Sequence, residues 1–286
     1  MVAVGSGLMG AASQGSVRSV AGVPTGVGSS VPVVFAAGAG IGVLGGLIGL
    51  GGAEFRLPLL IGVFGFVALQ AVVLNKAMSL VVVATALPAR LVALPYGDVA
   101  AHWSVAVNLL AGSLVGAWVG AGWATRMRSR TLYRVLAGLL VLIAIALAAS
   151  HIGPLGSLSL PPVARVVAAV VAGVGIGVVA ALMGVAGGEL LIPTIVLLFA
   201  VDIKIAGSLS LVVSLPTMLV AFARYSRDQS FQVVRDNPRF LLVMAAGSVV
   251  GTVIGGLLLG VVPSVALIPV LVLLLVVSAV KVWRHR

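Results

Sequence analysis

The chain has 286 residues, of which 61% are hydrophobic and only 8% are charged, and its mean hydropathy is +1.29. A soluble globular domain carries roughly 25% Asp, Glu, Lys and Arg to cover its surface, so this composition excludes that class and indicates an all-α integral membrane protein. A net charge of +11 would suggest nucleic acid as a partner of a soluble chain. Here the arginines lie in short loops between apolar segments, so we expect no nucleic-acid partner.

The first thirty residues are a mixture of Gly, Ser and Val whose first charged residue is Arg18. They lack the basic start and the compact apolar core of a cleavable signal peptide. We therefore interpret residues 1–30 as a flexible N-terminal leader.

Ten apolar segments follow, separated by Gly, Pro and short basic loops, and a helix needs about 20 apolar residues to cross the hydrocarbon of a bilayer. The second and the seventh segments are short for a full crossing, and each follows a glycine-rich break, which predicts half-helices or re-entrant pieces. The predicted helices are 31–50, 55–67, 70–94, 103–124, 132–150, 163–185, 190–200, 203–223, 240–259 and 263–283.

The chain repeats itself. The stretch from Gly40 to Pro58 recurs 135 residues later, from Gly175 to Pro193. A second block recurs at the same offset, since Gly112, Gly116 and Gly120 match Gly247, Gly251 and Gly255. Internal repeats determine the architecture before any single residue is interpreted. We expect two homologous transmembrane repeats of five segments each, residues 31–150 and 163–286.

The basic residues predict the orientation. They concentrate in the 125–134 loop, the 224–239 loop and the C-terminal tail, whereas the connections around Asp98, at 154–162 and at 262–263 are almost free of Lys and Arg. Under the positive-inside rule, the basic loops and both termini of this multi-pass protein face the cytoplasm, and its membrane is the plasma or inner membrane. Each half then crosses the membrane an odd number of times, so the two repeats are inverted.

The glycine-rich breaks at 49–58 and 184–193 are the predicted substrate site. Glycines allow backbone N–H groups to approach a ligand, and Pro is tolerated in a first helical turn, so we expect a helix to begin inside each break. Two such helix starts facing each other near the midplane would bind an anion. The predicted contacts are Gly51, Gly52, Gly187 and Gly188. For the glycines spaced by four around Gly116 and Gly251, we prefer the alternative that they permit tight helix packing.

Each break also contains a carboxyl group, Glu54 in the first and Glu189 in the second, and the chain has only six acidic residues. Ionisable residues inside a membrane are costly and mark functional sites. Because desolvation favours the neutral carboxyl group, we predict that both are proton carriers that couple transport to the proton gradient. The alternative is that they hydrogen-bond the frayed backbone of the break.

Further polar residues near the breaks are candidates to line the anion path. Arg56 is the predicted principal anion contact and Lys76 a secondary one; the second repeat has Leu191 and Gly207 at these positions. The alternatives are that both cations reach the membrane interface, and that the serines bond to their own helices. The remaining candidates are Asn75, Ser79, Ser208 and Ser210. The three histidines are not spaced as metal ligands, so we predict no metal site.

The doubled motif from Gly40 to Pro58 and from Gly175 to Pro193 resembles that of the TauE/SafE family of sulfite exporters. The stretches Ala206 to Leu211, Leu110 to Gly120 and Ala245 to Gly255 resemble further blocks of the family. The resemblance implies a permease that moves small sulfur-containing anions such as sulfite, sulfoacetate, sulfolactate or thiosulfate, usually outward, with proton coupling. The expected partners of the protein are the anion, protons and the lipid bilayer, and the protein could also form a homo-oligomer. Glu54 and Glu189 stand near positions that are often Gly in the family.

The competing interpretation is an anion channel, or an uncoupled permease for other small anions, with the same fold. Carboxyl groups at the midplane argue against a channel for anions. An enzyme is not expected, because the sequence has no catalytic triad, His cluster or pair of aspartates on one helix. We accordingly expect no cofactor.

Overall fold

The computed structural model describes residues 30–48, 52–93, 101–149, 160–258 and 264–284. Residues 1–29 of the proposed leader 1–30, Gly51 and the connections at 94–100, 150–159 and 259–263 lie outside the described residues. Within them the chain forms eleven α-helices: α1 (Val31–Ile48), α2 (Ala53–Gly62), α3 (Ala68–Ala93), α4 (Trp103–Arg126), α5 (Ser129–Ala149), α6 (Pro162–Met183), α7 (Gly188–Phe199), α8 (Ile203–Tyr225), α9 (Gln232–Asp236), α10 (Pro238–Leu258) and α11 (Ser264–Arg284).

All ten predicted helical segments are confirmed, with ends that shift by at most a few residues. The sequence prediction missed the short α9 and the 3-10 turn Gln229–Phe231 before it. Asp228 starts this turn by accepting a hydrogen bond from the Ser230 N–H at 2.9 Å. Such a short polar piece has no apolar periodicity to reveal it.

The described part of the chain contains no β-strand, and six of its helices are long and apolar enough to cross a membrane. The predicted class, an all-α multi-pass membrane protein, is confirmed. The six candidate spans are Ala68–Leu87, Trp103–Arg126, Ser129–Ala146, Pro162–Met183, Ile205–Tyr225 and Pro238–Leu258.

Two helix pairs from different repeats pack with their backbones in contact, α1 with α10 and α4 with α6. A Cβ atom added at Gly251 would lie 2.0 Å from the carbonyl oxygen of Ala39, and one added at Gly116 would lie 2.1 Å from that of Val174. A side chain larger than glycine does not fit there. The packing interpretation of the glycines spaced by four is therefore confirmed; the close contacts involve Gly112, Gly116, Gly120, Gly247, Gly251 and Gly255.

The basic segments of the chain meet at one end of the bundle. The guanidinium of Arg134, near the start of α5, lies 5.8 Å from the ring centre of Trp283, near the end of α11. At the same end, the hydroxyl of Tyr133 accepts a hydrogen bond from the N–H of Ala68 at the start of α3. Phe240, at the start of α10, packs edge-on against Phe64 and Phe66 before α3. We call this the basic end; the compartment that it faces stays a prediction.

The two short helices α2 and α7 each run back along the helix before them. α1 runs parallel to α10, away from the basic end, since Gly38 lies beside Met244 and Gly46 beside Thr252. α2 then returns, because Gly62 at its end lies against Lys281 near the end of α11. The helices α1 and α2 thus form a hairpin that starts and finishes at the basic end.

The equivalent hairpin of α6 and α7 starts and finishes at the opposite end. Leu198, near the end of α7, belongs to one hydrophobic cluster with Val105 at the start of α4 and Ala169 near the start of α6. The starts of α4 and α6 lie far from the basic end, because α4 ends beside the basic loop and α6 packs parallel to α4. These contacts support the inverted arrangement, which for the complete repeats stays a prediction.

Candidate functional site

A helix begins inside each glycine-rich break, as predicted. Gly52 precedes α2 with φ of 69°, and Gly187 precedes α7 with φ of 86°, both in the left-handed region that glycine adopts without strain. The carbonyl oxygens of these two glycines accept the first hydrogen bonds of their helices, from the N–H groups of Phe55 and Leu190.

The prolines do not lie where the sequence prediction put them. Pro58 and Pro193 are the sixth residues of α2 and α7, in the second turn and not the first. A proline has no N–H to donate to the carbonyl four residues earlier. Those carbonyls belong to Glu54 and Glu189, so each half-helix lacks one backbone hydrogen bond at the residue that carries its carboxyl group.

Asn75 in α3 connects the two breaks. Its Nδ2 donates to the carbonyl oxygen of Ala53 at 2.9 Å and to that of Met183 at 3.1 Å. Ala53 is the first residue of α2 and Met183 is the last residue of α6, so one buried amide group holds together the two halves of the site. The Oδ1 atom of Asn75 is buried and has no hydrogen-bond partner among the described residues.

Lys76 closes the end of α6. Its Nζ donates to the carbonyl oxygens of Ala180 at 2.8 Å and Val185 at 2.7 Å. The ammonium group therefore lies at the negative end of the helix dipole, where it adds a donor to the Ala180 carbonyl, which also accepts from the N–H of Val185, and supplies one to the Val185 carbonyl beyond the helix end. Tyr225 adds a third donor through its hydroxyl, 3.0 Å from the carbonyl oxygen of Ala181. Lys76 is fully buried, which contradicts the alternative that it reaches the membrane interface.

Glu54 and Glu189 come together from the two breaks, and their carboxyl groups are close enough to interact directly. Three of the four carboxyl oxygens, Glu54 Oε2 and both of Glu189, are buried without a hydrogen-bond partner in the described part of the chain. The charge of Arg56 acts on Glu54, and that of Lys76 acts on Glu189. Arg56 is fully buried within the protein, so its interfacial alternative is also wrong.

The predicted serines are buried but differ in their contacts. The Oγ of Ser210 donates to the carbonyl of Gly207 in its own helix at 2.8 Å, as the alternative interpretation expected. The Oγ of Ser79 has no hydrogen-bond partner among the described residues, and Ser208 is fully buried. No sequence argument singled out Ser214 and Thr217, which are buried on the same face of α8 as Ser210. The spacing of 210, 214 and 217, typical of one helix face, could have revealed them.

Thr217 also links α8 to α4, because its hydroxyl oxygen lies 2.7 Å from that of Ser113.

Among the described residues no group of three or more His, Cys, Asp and Glu side chains could hold a metal ion.

The comparison with protein families agrees with this architecture. The model of the family described as Sulfite exporter TauE/SafE matches residues 1–147 and 34–282. The chain belongs to the TauE/SafE family. It is therefore a membrane permease of a transporter family, with several transmembrane helices. Neither the curated proteins nor the solved structures contain a match to this TauE/SafE chain.

Proposed function

We propose that this TauE/SafE protein exports small sulfur-containing anions, such as sulfite, sulfoacetate or related sulfonates, across the cell membrane in a proton-coupled, alternating-access cycle. Family membership supports a transporter of sulfite-type anions. The observation that carries the coupling is the pair of buried carboxyl groups, Glu54 and Glu189, at the meeting point of two broken helices.

The anion site that we propose lies at the starts of α2 and α7. The first N–H groups of a helix have no partners in the helix and carry a partial positive charge, which favours an anion. Arg56 is in the first turn of α2 and is buried. A guanidinium binds two oxygens of a sulfonate or sulfite group at once, which an ammonium group does less well.

The proton site that we propose is the carboxyl pair itself. Two adjacent buried carboxylates repel each other, and a bound proton removes that repulsion. A proton on Glu54 or Glu189 also lowers the negative charge next to the anion. Proton and anion therefore favour each other's binding and cross in the same direction, so the anion leaves the cell where its outward gradient exceeds the inward proton gradient.

The arrangement of the hairpins supports alternating access. The hairpin of α1 and α2 starts at the basic end, and that of α6 and α7 starts at the opposite end. A site between them can open to one side or the other when one repeat moves against its partner. In this proposal the basic end and both termini face the cytoplasm.

The test is uptake into proteoliposomes of purified protein. The panel contains sulfite, sulfoacetate, sulfate, acetate and chloride, each with and without a pH gradient. We expect the sulfur-containing anions to accumulate against their own gradient when the pH gradient is present. The double variant Glu54→Gln and Glu189→Gln should abolish accumulation, whereas Asp236→Asn, an exposed acid in α9, should have no effect.

The outcome also decides between the two candidate functions. Equilibration of anions down their gradient, without accumulation, would indicate an anion channel or an uncoupled permease. Accumulation by the double Gln variant would show that the two carboxyl groups have a structural role only.

A further inference from the structure

Four ionisable side chains meet inside the bundle, and we call them the charge set: Glu54, Arg56, Lys76 and Glu189. The two carboxyl groups adjoin each other, one cation acts on each, and the carboxyl oxygens and both cationic side chains are buried. With all four ionised, the two positive and two negative charges cancel. A net charge that is buried in a medium of low polarity is costly, and a balanced set avoids this cost.

The positive half of the charge set is fixed in place. Lys76 is held by two backbone carbonyls at the end of α6, at 2.8 and 2.7 Å. Arg56 follows Glu54 by two residues in the first turn of α2 and is fully buried. The negative half is the part that can change, because three of its four carboxyl oxygens have no hydrogen-bond partner within the described residues.

The other titratable groups on the surrounding described helices have different neighbours. The hydroxyl of Tyr225 in α8 donates to the carbonyl of Ala181. Lys281 in α11 lies beside Gly62, at the far end of α2 from Glu54. Protonation of the carboxyl pair is therefore the change that adjusts the charge of this site.

An anion that enters a neutral set leaves one uncompensated negative charge for each charge that it carries. We infer that the charge set binds one proton for every negative charge of the anion, so that transport is electroneutral. This inference rests on the proposed function. A monovalent anion needs one proton on the carboxyl pair, and a divalent anion needs one on each carboxyl group.

Two sulfonates with fixed charge test the inference, because neither changes its own protonation near neutral pH. Methanesulfonate carries one negative charge and ethane-1,2-disulfonate carries two. Uptake of each labelled anion into proteoliposomes is measured together with the internal pH, reported by a trapped dye. Valinomycin and a potassium gradient set the membrane potential. We expect one proton with each methanesulfonate, two with each disulfonate, and rates that do not respond to the potential.

The variant Glu54→Gln separates charge balance from other roles of the site. In this variant the two positive charges of Arg56 and Lys76 face the single negative charge of Glu189, so the charge set has a net charge of one positive unit. Methanesulfonate should then enter without a proton, so the ratio falls from one to zero and uptake responds to the membrane potential. Asp236→Asn is the matched control and should keep the wild-type ratio. If Glu54→Gln does not fold, the two wild-type ratios still decide.

The inference and the proposed function fail in different ways. Two results would overturn charge balance: wild-type uptake that responds to the membrane potential, or a proton ratio that is the same for both sulfonates. Either result would still be compatible with the proposed function as an anion transporter. If neither the two probes nor sulfite enters the proteoliposomes, the proposed function is wrong and the inference is wrong with it.

Discussion

Replacing Lys76 with Met tests whether this lysine closes a broken helix or binds the anion. Methionine is similar in length and apolar, so it fills the same space without donating hydrogen bonds. The structure gives the ammonium group two backbone acceptors, the carbonyls of Ala180 and Val185. If these contacts are its role, the variant loses stability; if Lys76 is an anion contact, the variant loses affinity.

The expected loss of stability follows from those two contacts. A hydrogen bond from a charged donor contributes about 1.5–3 kcal/mol, so the pair contributes about 3–6 kcal/mol. Removal of a buried ammonium also removes its desolvation cost, which offsets part of this sum. The Val185 carbonyl then loses its donor, at about 1–3 kcal/mol, whereas the Ala180 carbonyl still accepts from the N–H of Val185. We expect a net decrease in the free energy of unfolding of about 2–4 kcal/mol.

The assay is unfolding of the purified variant in detergent, paired with an anion-binding titration. Lys281→Met is the control, because Lys281 is exposed on α11 and its loss should change stability by less than about 0.5 kcal/mol. A Lys76→Met protein with wild-type stability and about tenfold weaker anion affinity would refute the helix-closing role. It would restore Lys76 as the secondary anion contact that the sequence predicted.

Three further predictions concern packing, topology and the anion. Gly251→Ala should destabilise the protein in an unfolding assay, because the new Cβ would lie 2.0 Å from a backbone oxygen of α1. Gly175→Ala is the control: it has open space around it and should be neutral or slightly stabilising in the same assay. Single cysteines at Ser129 and Ser157 should be labelled from opposite sides of the membrane; labelling from one side would contradict the inverted repeats. Arg56→Gln should weaken anion binding about ten- to hundredfold, a loss of about 1.5–3 kcal/mol, and unchanged affinity would leave the anion to the helix N–H groups.

Most of the fold was predictable because a membrane restricts what a chain can form. Each crossing must be a long apolar helix, so ten apolar segments between Gly, Pro and basic loops locate all the long helices. The positive-inside rule predicted that the basic loops lie on one side of the membrane. In agreement, Arg134 of one basic segment meets Trp283 of another at one end of the bundle. Glycines spaced by four, such as Gly116 and its neighbours, predicted close helix packing, because small residues let two membrane helices approach each other.

The site was predictable in its backbone but not in its cross-links. Glycine marks the left-handed positions at Gly52 and Gly187, since other residues are strained there. No pattern predicts that Asn75 and Lys76 donate to the breaks, because their acceptors are carbonyl groups, which every residue carries. That contact depends on where α3 crosses the end of α6, and only the tertiary structure specifies the crossing.

The difference between the two repeats explains why the charges of the site are distributed asymmetrically. In the second repeat, Ala206 and Gly207 occupy the places of Asn75 and Lys76, and Leu191 occupies the place of Arg56. An inverted pair of identical halves would have its charges in equal pairs, with the same cations and carboxyl groups in each half. Here one half supplies both cations while each half supplies one carboxyl group. The repeat therefore positions the two helix starts and the two carboxyl groups, and in the proposed mechanism Arg56 and Lys76, which have no counterpart in the second repeat, supply the positive charge that balances those carboxyl groups.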